Sequence, residues 1–205
     1  MSEKPYEIVA QPFTLYVAAA GSAFPPIEQE PGDEWTKVGS SGDLNYTEEG
    51  VTIAKAQSLE PFRALGSPGP RKIFRTEEGV TVSLGLADIS LEQYALAMQY
   101  ATVETQAPDV GAAGHQQLAL SVGLSLPHRA LLVRGQAASP YGEGAAQYEM
   151  PIVVEVGEPE VAFVKGEPAG LALEYSVLED PHASSLDERF GRLVVEHADE
   201  LEAEP

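Results

Sequence analysis

Apolar and polar residues alternate strictly from Val80 to Leu86: Val80, Val82, Leu84 and Leu86 are apolar, while Thr81, Ser83 and Gly85 are small or polar. A period of two sends successive side chains to opposite faces of an extended chain, so this segment is predicted as a strand with one buried face. The same alternation recurs at Leu118, Leu120, Val122 and Leu124, and at Leu171, Leu173, Tyr175 and Val177. Met150, Ile152, Val154 and Val156 define another apolar face, which leaves Glu149, Glu155 and, on the 171–177 strand, Glu174 on faces expected to meet water. Phe13-Thr14-Leu15-Tyr16-Val17, Gly50-Val51-Thr52-Ile53 and Leu131-Leu132-Val133 read as further strands, punctuated by turn clusters such as Gly66-Ser67-Pro68-Gly69-Pro70. Only one segment has the helical period. Leu91, Tyr94, Ala95 and Met98 fall at i, i+3, i+4 and i+7, and Ser90 with Gln93 spells a capping box, predicting a helix at about 90–100.

Many strands, a lone helix and no βαβ alternation predict a mainly β chain, an antiparallel β-sandwich or barrel with one flanking α-helix. The 205 residues fit a single domain, 1–205. Two Pro/Gly-rich stretches, 18–34 and 59–71, lack the apolar surface to offset their ordering entropy and are expected to be mobile in the free subunit and fixed on assembly. Residues 101–117 show no clear pattern, and the acidic tail 196–205 is expected to be a solvated end.

Charge narrows the functional classes. Twelve Lys and Arg face 32 Asp and Glu, a net charge of -20. Such a chain repels nucleic acid and anionic membrane surfaces unless its few cations are gathered in one place. No segment has the length of a membrane span or the basic flank of a signal peptide. The absence of cysteine excludes thiolate catalysis, disulfides and Cys-ligated metal. His115, His128, His182 and His197 are isolated in sequence, and Asp43–Ala54 lacks the glycine and terminal glutamate of a calcium loop. No catalytic residue, metal site or cofactor is therefore assigned. The exception to the acidic field is Arg63, Arg71, Lys72 and Arg75, four of the 12 basic residues, in or beside the 59–71 loop. A basic loop on an acidic protein is suited to dock on an acidic surface, and the most available one belongs to another copy.

The order of these features resembles the major tail tube proteins of long-tailed bacteriophages. The resemblance runs over about 12–100: Phe-Thr-Leu-Tyr-Val near the start, a Pro-rich stretch, Glu34-Trp35-Thr36-Lys37-Val38-Gly39 with Gly42, and Tyr46 through Ile53. It continues through a Pro/Gly loop, Thr76–Leu84, and Asp88-Ile89-Ser90-Leu91-Glu92 opening the helix. It implies a virion protein, assembled in the host cytoplasm, that forms stacked hexameric rings and so a tube through which DNA is ejected. It further implies tail terminator, tape-measure and baseplate proteins as partners, and a loop between the second and third strands that reaches a neighbouring ring. Leu59, Phe62, Arg63, Leu65, Arg71 and Lys72 would make that contact, and Glu149, Glu155 and Glu174 are the expected lumen-facing acids. The alternatives are another β-sandwich virion component, such as a tail terminator or decoration protein, or a small glycan-binding module. An acidic hydrolase rests only on unpaired carboxylates.

Overall fold

The alternating runs become strands of one large antiparallel sheet. In the computed structural model, which describes residues 7–99, 102–166 and 168–197, the chain forms β1 (Thr14–Ala19), β2 (Thr36–Lys37), β3 (Tyr46–Phe62) and β4 (Lys72–Leu86). The helix α1 (Leu91–Ala97) follows, then β5 (Glu104–Gln106), β6 (His115–Gln117), β7 (Arg129–Gly135), β8 (Ala146–Glu155), β9 (Leu171–Val177) and β10 (Arg192–Val195). The sheet order is β2-β1-β7-β8-β9-β4-β3, with β10 also on β8, while β5 and β6 form a separate small ladder. Leu15 and Val17 of β1 share one buried cluster with Val82, Leu84 and Leu86 of β4, although three strands lie between them in the sheet. The sheet therefore wraps around its own core, as the mainly β, sandwich-or-barrel reading expects. No helix among the described residues is long and apolar enough to cross a membrane.

β1 and β7 are covered on both faces. Leu15, Val17, Leu131 and Val133 face the main core, and Tyr16, Ala18, Ala130 and Leu132 form a second cluster with Trp35. An uninterrupted apolar run such as Leu131-Leu132-Val133 is the sequence mark of a strand with no wet side. The cover on the second face is the 18–34 stretch, which is packed, contrary to expectation. Phe24 lies against Trp35 at 5.2 Å, the Trp35 indole donates to the Ala23 carbonyl at 3.2 Å, and Gln147 Nε2 donates to the Pro25 carbonyl at 3.0 Å. Arg134 donates from its guanidinium to the carbonyls of Ile27 and Gln29. One aromatic anchor and a set of polar side chains rising from the sheet hold a segment that has few apolar residues of its own.

β8 departs from the expected face. Leu131 pairs with Met150 and Arg129 with Val153, so one residue of β7 stands opposite two of β8, Pro151 and Ile152. This is a β-bulge at a residue with no N–H to give the ladder. It inverts the phase: Met150 and Val153 both enter the core, Ile152 and Val154 turn to the other face, and Glu155 pairs with Tyr175 on the core side. Val156 is half exposed.

Two further expectations are corrected. Leu118–Leu124 lies in no ladder, and Leu120 and Leu124 are exposed. The helix is shorter than 90–100, ending where Gln99 takes a left-handed conformation (φ 54), and residue 100 lies outside the described residues. Its capping box does not form. Ser90 makes no side-chain cap, and Gln93 instead accepts from the Gly39 amide at 2.9 Å and donates to the Lys37 carbonyl at 3.1 Å, latching the helix to the end of β2. Of the tail, residues 198–205 lie outside the described residues, and Glu196 is tied to the body through its amide on the Ala145 carbonyl at 2.9 Å.

Candidate functional site

The predicted 59–71 loop is the end of a projecting β-hairpin. β3 and β4 stay paired out to Phe62↔Lys72, so 59–62 is strand and only 63–71 is turn. β4 last meets β9 at Thr81↔Ser176, and beyond that point β3 and β4 pair only with each other among the described strands. From Ala54 to Phe62 this arm extends about 30 Å, at ~3.4 Å per residue. A bulge between Ser58 and Leu59 resets its faces near the tip. Leu59, Pro61, Ile73 and Arg75 then share one face, and Glu60, Phe62, Lys72 and Phe74 share the other. Leu59, Phe62, Leu65, Ile73 and Phe74 are all exposed, so the tip is apolar on both sides.

The tip is also the cationic part of the molecule. Residues 59–75 hold Glu60 against Arg63, Arg71, Lys72 and Arg75, a net of +3, so the rest of the chain carries -23 (-20 minus +3). Lys72 lies over the Phe74 ring at 5.0 Å, and Arg63 donates to the Pro68 carbonyl at 3.4 Å. Among the described residues, Arg63, Arg71 and Lys72 form no ion pair, whereas Arg75 meets Glu78 at 2.9 Å. At the root, Arg189 bridges Glu78 at 3.9 Å and Glu179 at 3.0 Å, tying the arm to the loop before β10. The structure thus gathers the predicted contact residues on one projection and leaves three of their charges available.

The three predicted lumen glutamates do not share an environment. Glu149 is 4 % exposed, on the covered face, where Gln147 Nε2 donates to it at 2.6 Å and Arg192 Nε at 2.7 Å. Gly191, at φ 100 with its Cα against the Glu149 backbone, is what brings Arg192 into reach, since a Cβ there would strike the Glu149 carbonyl. Glu155 is 8 % exposed on the core side of the bulge, accepting from the Gly157 amide at 3.1 Å, the Glu174 amide at 3.3 Å and Gln99 Nε2 at 3.1 Å. Burial pushes its carboxyl pKa up, and these hydrogen bonds offset only part of that. The expectation that both meet water is therefore corrected: the bulge turned Glu155 inward, and the 18–34 cover with β10 closed over Glu149. Glu174 is exposed, on a shallow cleft with Glu49, Glu158, Thr52 and Ser83.

Arg134, Gln147 and Gln99 were not singled out from sequence. The available signal was a polar residue inside a β-type run, as in Leu131-Leu132-Val133-Arg134, where a buried charge or amide must find partners. The histidines are dispersed: His115 lies on β6, His182 donates its amide to Asp180 at 2.8 Å, and His197 stacks on Tyr141 at 4.8 Å.

No family model and no curated protein matches the chain. Among solved structures, it is similar to a chain in the cryo-electron microscopy structure of the anti-feeding prophage baseplate, 6-fold symmetrised. The TM-score is 0.51 and the identity 8 %, with 95 % of this chain and 98 % of that chain covered. At that identity the likeness is one of fold, and it spans nearly the whole of both chains.

Proposed function

We propose that this protein is a structural subunit of a phage-tail-like particle, and that it assembles with copies of itself into stacked hexameric rings forming a tube for DNA. The observation that carries the proposal is the projecting arm, apolar on both faces and charged +3 on a chain whose remainder is -23. A lone hairpin of this composition is marginal in water, and a subunit that displays one has a use for it in contact with another surface. The whole-length fold likeness to a baseplate chain supports the particle context, and the resemblance over residues 12–100 supports the tube. In the assembly, Leu59, Phe62 and Leu65 pack on a neighbour while Arg63, Arg71 and Lys72 meet its carboxylates. Each exposed pair contributes only about 0.2–1 kcal/mol, so the contact acts through its apolar tip and through repetition around a ring. Tail terminator, tape-measure and baseplate proteins are the further partners this reading implies. Glu174 remains the lumen-facing candidate of the three glutamates.

The baseplate likeness favours a second reading, in which the ring occurs once, at the end of a tube, and does not stack. Negative-stain microscopy of the purified protein across concentration and salt tests both. Stacked rings or tubes are expected for a tube subunit, single rings for an end component. A protein that stays monomeric by light scattering at every concentration overturns both.

A further inference from the structure

Residues 118–126 have the sequence of a strand and the surroundings of none. Leu118, Leu120, Val122, Leu124 and Leu126 alternate with Ala119, Ser121, Gly123 and Ser125, and no charged residue occurs from Gln116 to Pro127. Yet the segment joins no ladder, and among the described residues the backbone of 119–127 makes no hydrogen bond. Leu120 is 69 % exposed, and Leu124 stands fully in solvent. Two independent costs thus fall on the same residues: unpaired backbone donors and acceptors, and an apolar stripe left largely in solvent from Leu120 to Leu126. Adding the segment as a strand to a sheet edge removes both at once.

The sheet offers such an edge. β3 ends the strand order and pairs only with β4, so its outer side is open along its length. From Val51 to Leu59 that edge has none of the usual protection: no proline, no extra residue on its own side of the ladder, and Lys55 as its single charge. The outer edge of β4 over 72–80 is different, with Lys72, Arg75, Glu77 and Glu78 and the additional residue Thr76 at the bulge. Residues 118–126 and 51–59 are equal in length, and an uncharged strand meets a nearly uncharged edge without burying an unpaired ion.

We infer that residues 118–126 are a strand donated by one copy to the free β3 edge of a second copy. The occupant is a copy of this chain because donor and acceptor surfaces are both present, unprotected and distinct on the same molecule. Such a head-to-tail contact repeats around a ring until it closes, leaving no β3 edge over 51–59 unpaired. Gly123, at φ 76, places a bend within the donated strand of the kind a β-bulge uses to follow a curved sheet. The inference rests on the self-association reading and adds to it a specific backbone contact, along the β3 edge that leads up to the arm tip.

Disulfide mapping tests it, since the chain has no cysteine of its own. Val122→Cys protein is mixed with Ile53→Cys, Lys55→Cys or Gln57→Cys protein, allowed to associate, and oxidised. Opposed strand positions lie within disulfide reach, so a covalent dimer joining the two variants is expected for at least one β3 position, and none from Val122→Cys alone. In parallel, Ser121→Pro removes one N–H from a segment that pairs with nothing in the subunit. It should leave the circular dichroism unchanged and weaken association at least tenfold. Rings that form but link 122 to no β3 position overturn this inference and leave the assembly proposal standing. Monomers under all conditions overturn both.

Discussion

Arg192 and Glu149 show how a half-exposed cation can govern a buried anion. Arg192 is largely in solvent, but its Nε holds the Glu149 carboxylate at 2.7 Å, and among the described residues the only other donor there is Gln147 at 2.6 Å. Arg192→Ala is expected to destabilise the subunit by about 1–3 kcal/mol, because the carboxylate stays desolvated with one partner fewer. Glu149→Gln should cost less, having no charge to strand; equal losses in chemical denaturation would show that the pair does not act this way. Glu155 bears the opposite sign. Its folded pKa is raised by burial, so the folded state favours the protonated form, and stability present below the ordinary value of 4.5 is lost as pH rises through the folded value. Glu155→Gln removes that penalty and offers an amide to the Gln99 Oε1, which has no partner among the described residues. The variant should melt higher than the parent at pH 7, with the gap closing as pH falls toward 4.5; a gap independent of pH would remove the electrostatic explanation. Asp88 sets the acid limit from the other side. Burial alone would raise its pKa, but hydrogen bonds from Ser40 and Ser90 hold it at about 2. Its stabilisation is present above 3.8 and is lost as pH falls toward 2, so an Asp88→Ala deficit seen at pH 7 should vanish across that window in melting curves.

At the scale of elements, strands with an intact period of two were legible, and those disturbed by an insertion were not. Val80–Leu86 and Leu171–Val177 pair as β4 and β9 with their apolar residues inward, because no bulge interrupts either run there. In β8 the pattern Met150, Ile152, Val154, Val156 was present in the residues but not in space, since pairing against β7 skips at Pro151. Proline at a run's centre was the available sign of it. The 18–34 stretch was misread because its anchors are remote in sequence: Arg134 and Gln147 reach it from β7 and β8. Leu118–Leu124 was misread in the opposite sense, having strand chemistry without a partner in its own subunit. The basic cluster near 59–71 was visible in the sequence, but its position on a long hairpin was not, because Pro61 and the bulge at Ser58 obscure the alternation. That hairpin makes its own prediction. Since residues 54–62 and 72–79 contribute nothing to the buried clusters, replacing 57–77 with a short turn should leave the melting temperature within a few degrees of the parent, a change of roughly 1 kcal/mol or less for a chain of this size. The shortened protein should fail to form rings or tubes. Normal assemblies from it in micrographs would remove the arm from the interface.

For the whole molecule, the proposed function requires the imbalance of charge to serve assembly and passage together. In the proposed hexameric ring, six copies of a -20 chain would bring a formal -120 (6 × -20), and like charges at that density oppose closure unless salt or local cations relieve them. On that proposal the +3 arm tips would supply such cations at the contact, which leaves the acidic surface elsewhere to face solvent or a channel. The cleft formed by Glu49, Glu158 and Glu174 lies on the side of β3, β4 and β9 turned away from the core, and its carboxylates are not paired with any cation among the described residues. If this face lines the channel, its charge keeps DNA phosphates, spaced at about one per 1.7 Å of duplex axis, from adhering as they pass. Changing Glu49, Glu158 and Glu174 to lysine moves each chain from -20 to -14, three reversals of two charges each, and makes the local field cationic. Assembled parent protein is expected to retain no DNA at low salt, whereas assembled triple-lysine protein should retain it, with the bound fraction falling steeply as salt rises. Nuclease decides where that DNA lies. Fragments bound inside a channel are protected over the length of the assembly, so a protected, salt-released fragment is the expected product, and complete digestion of the bound DNA would place this acidic face on the outside of the ring.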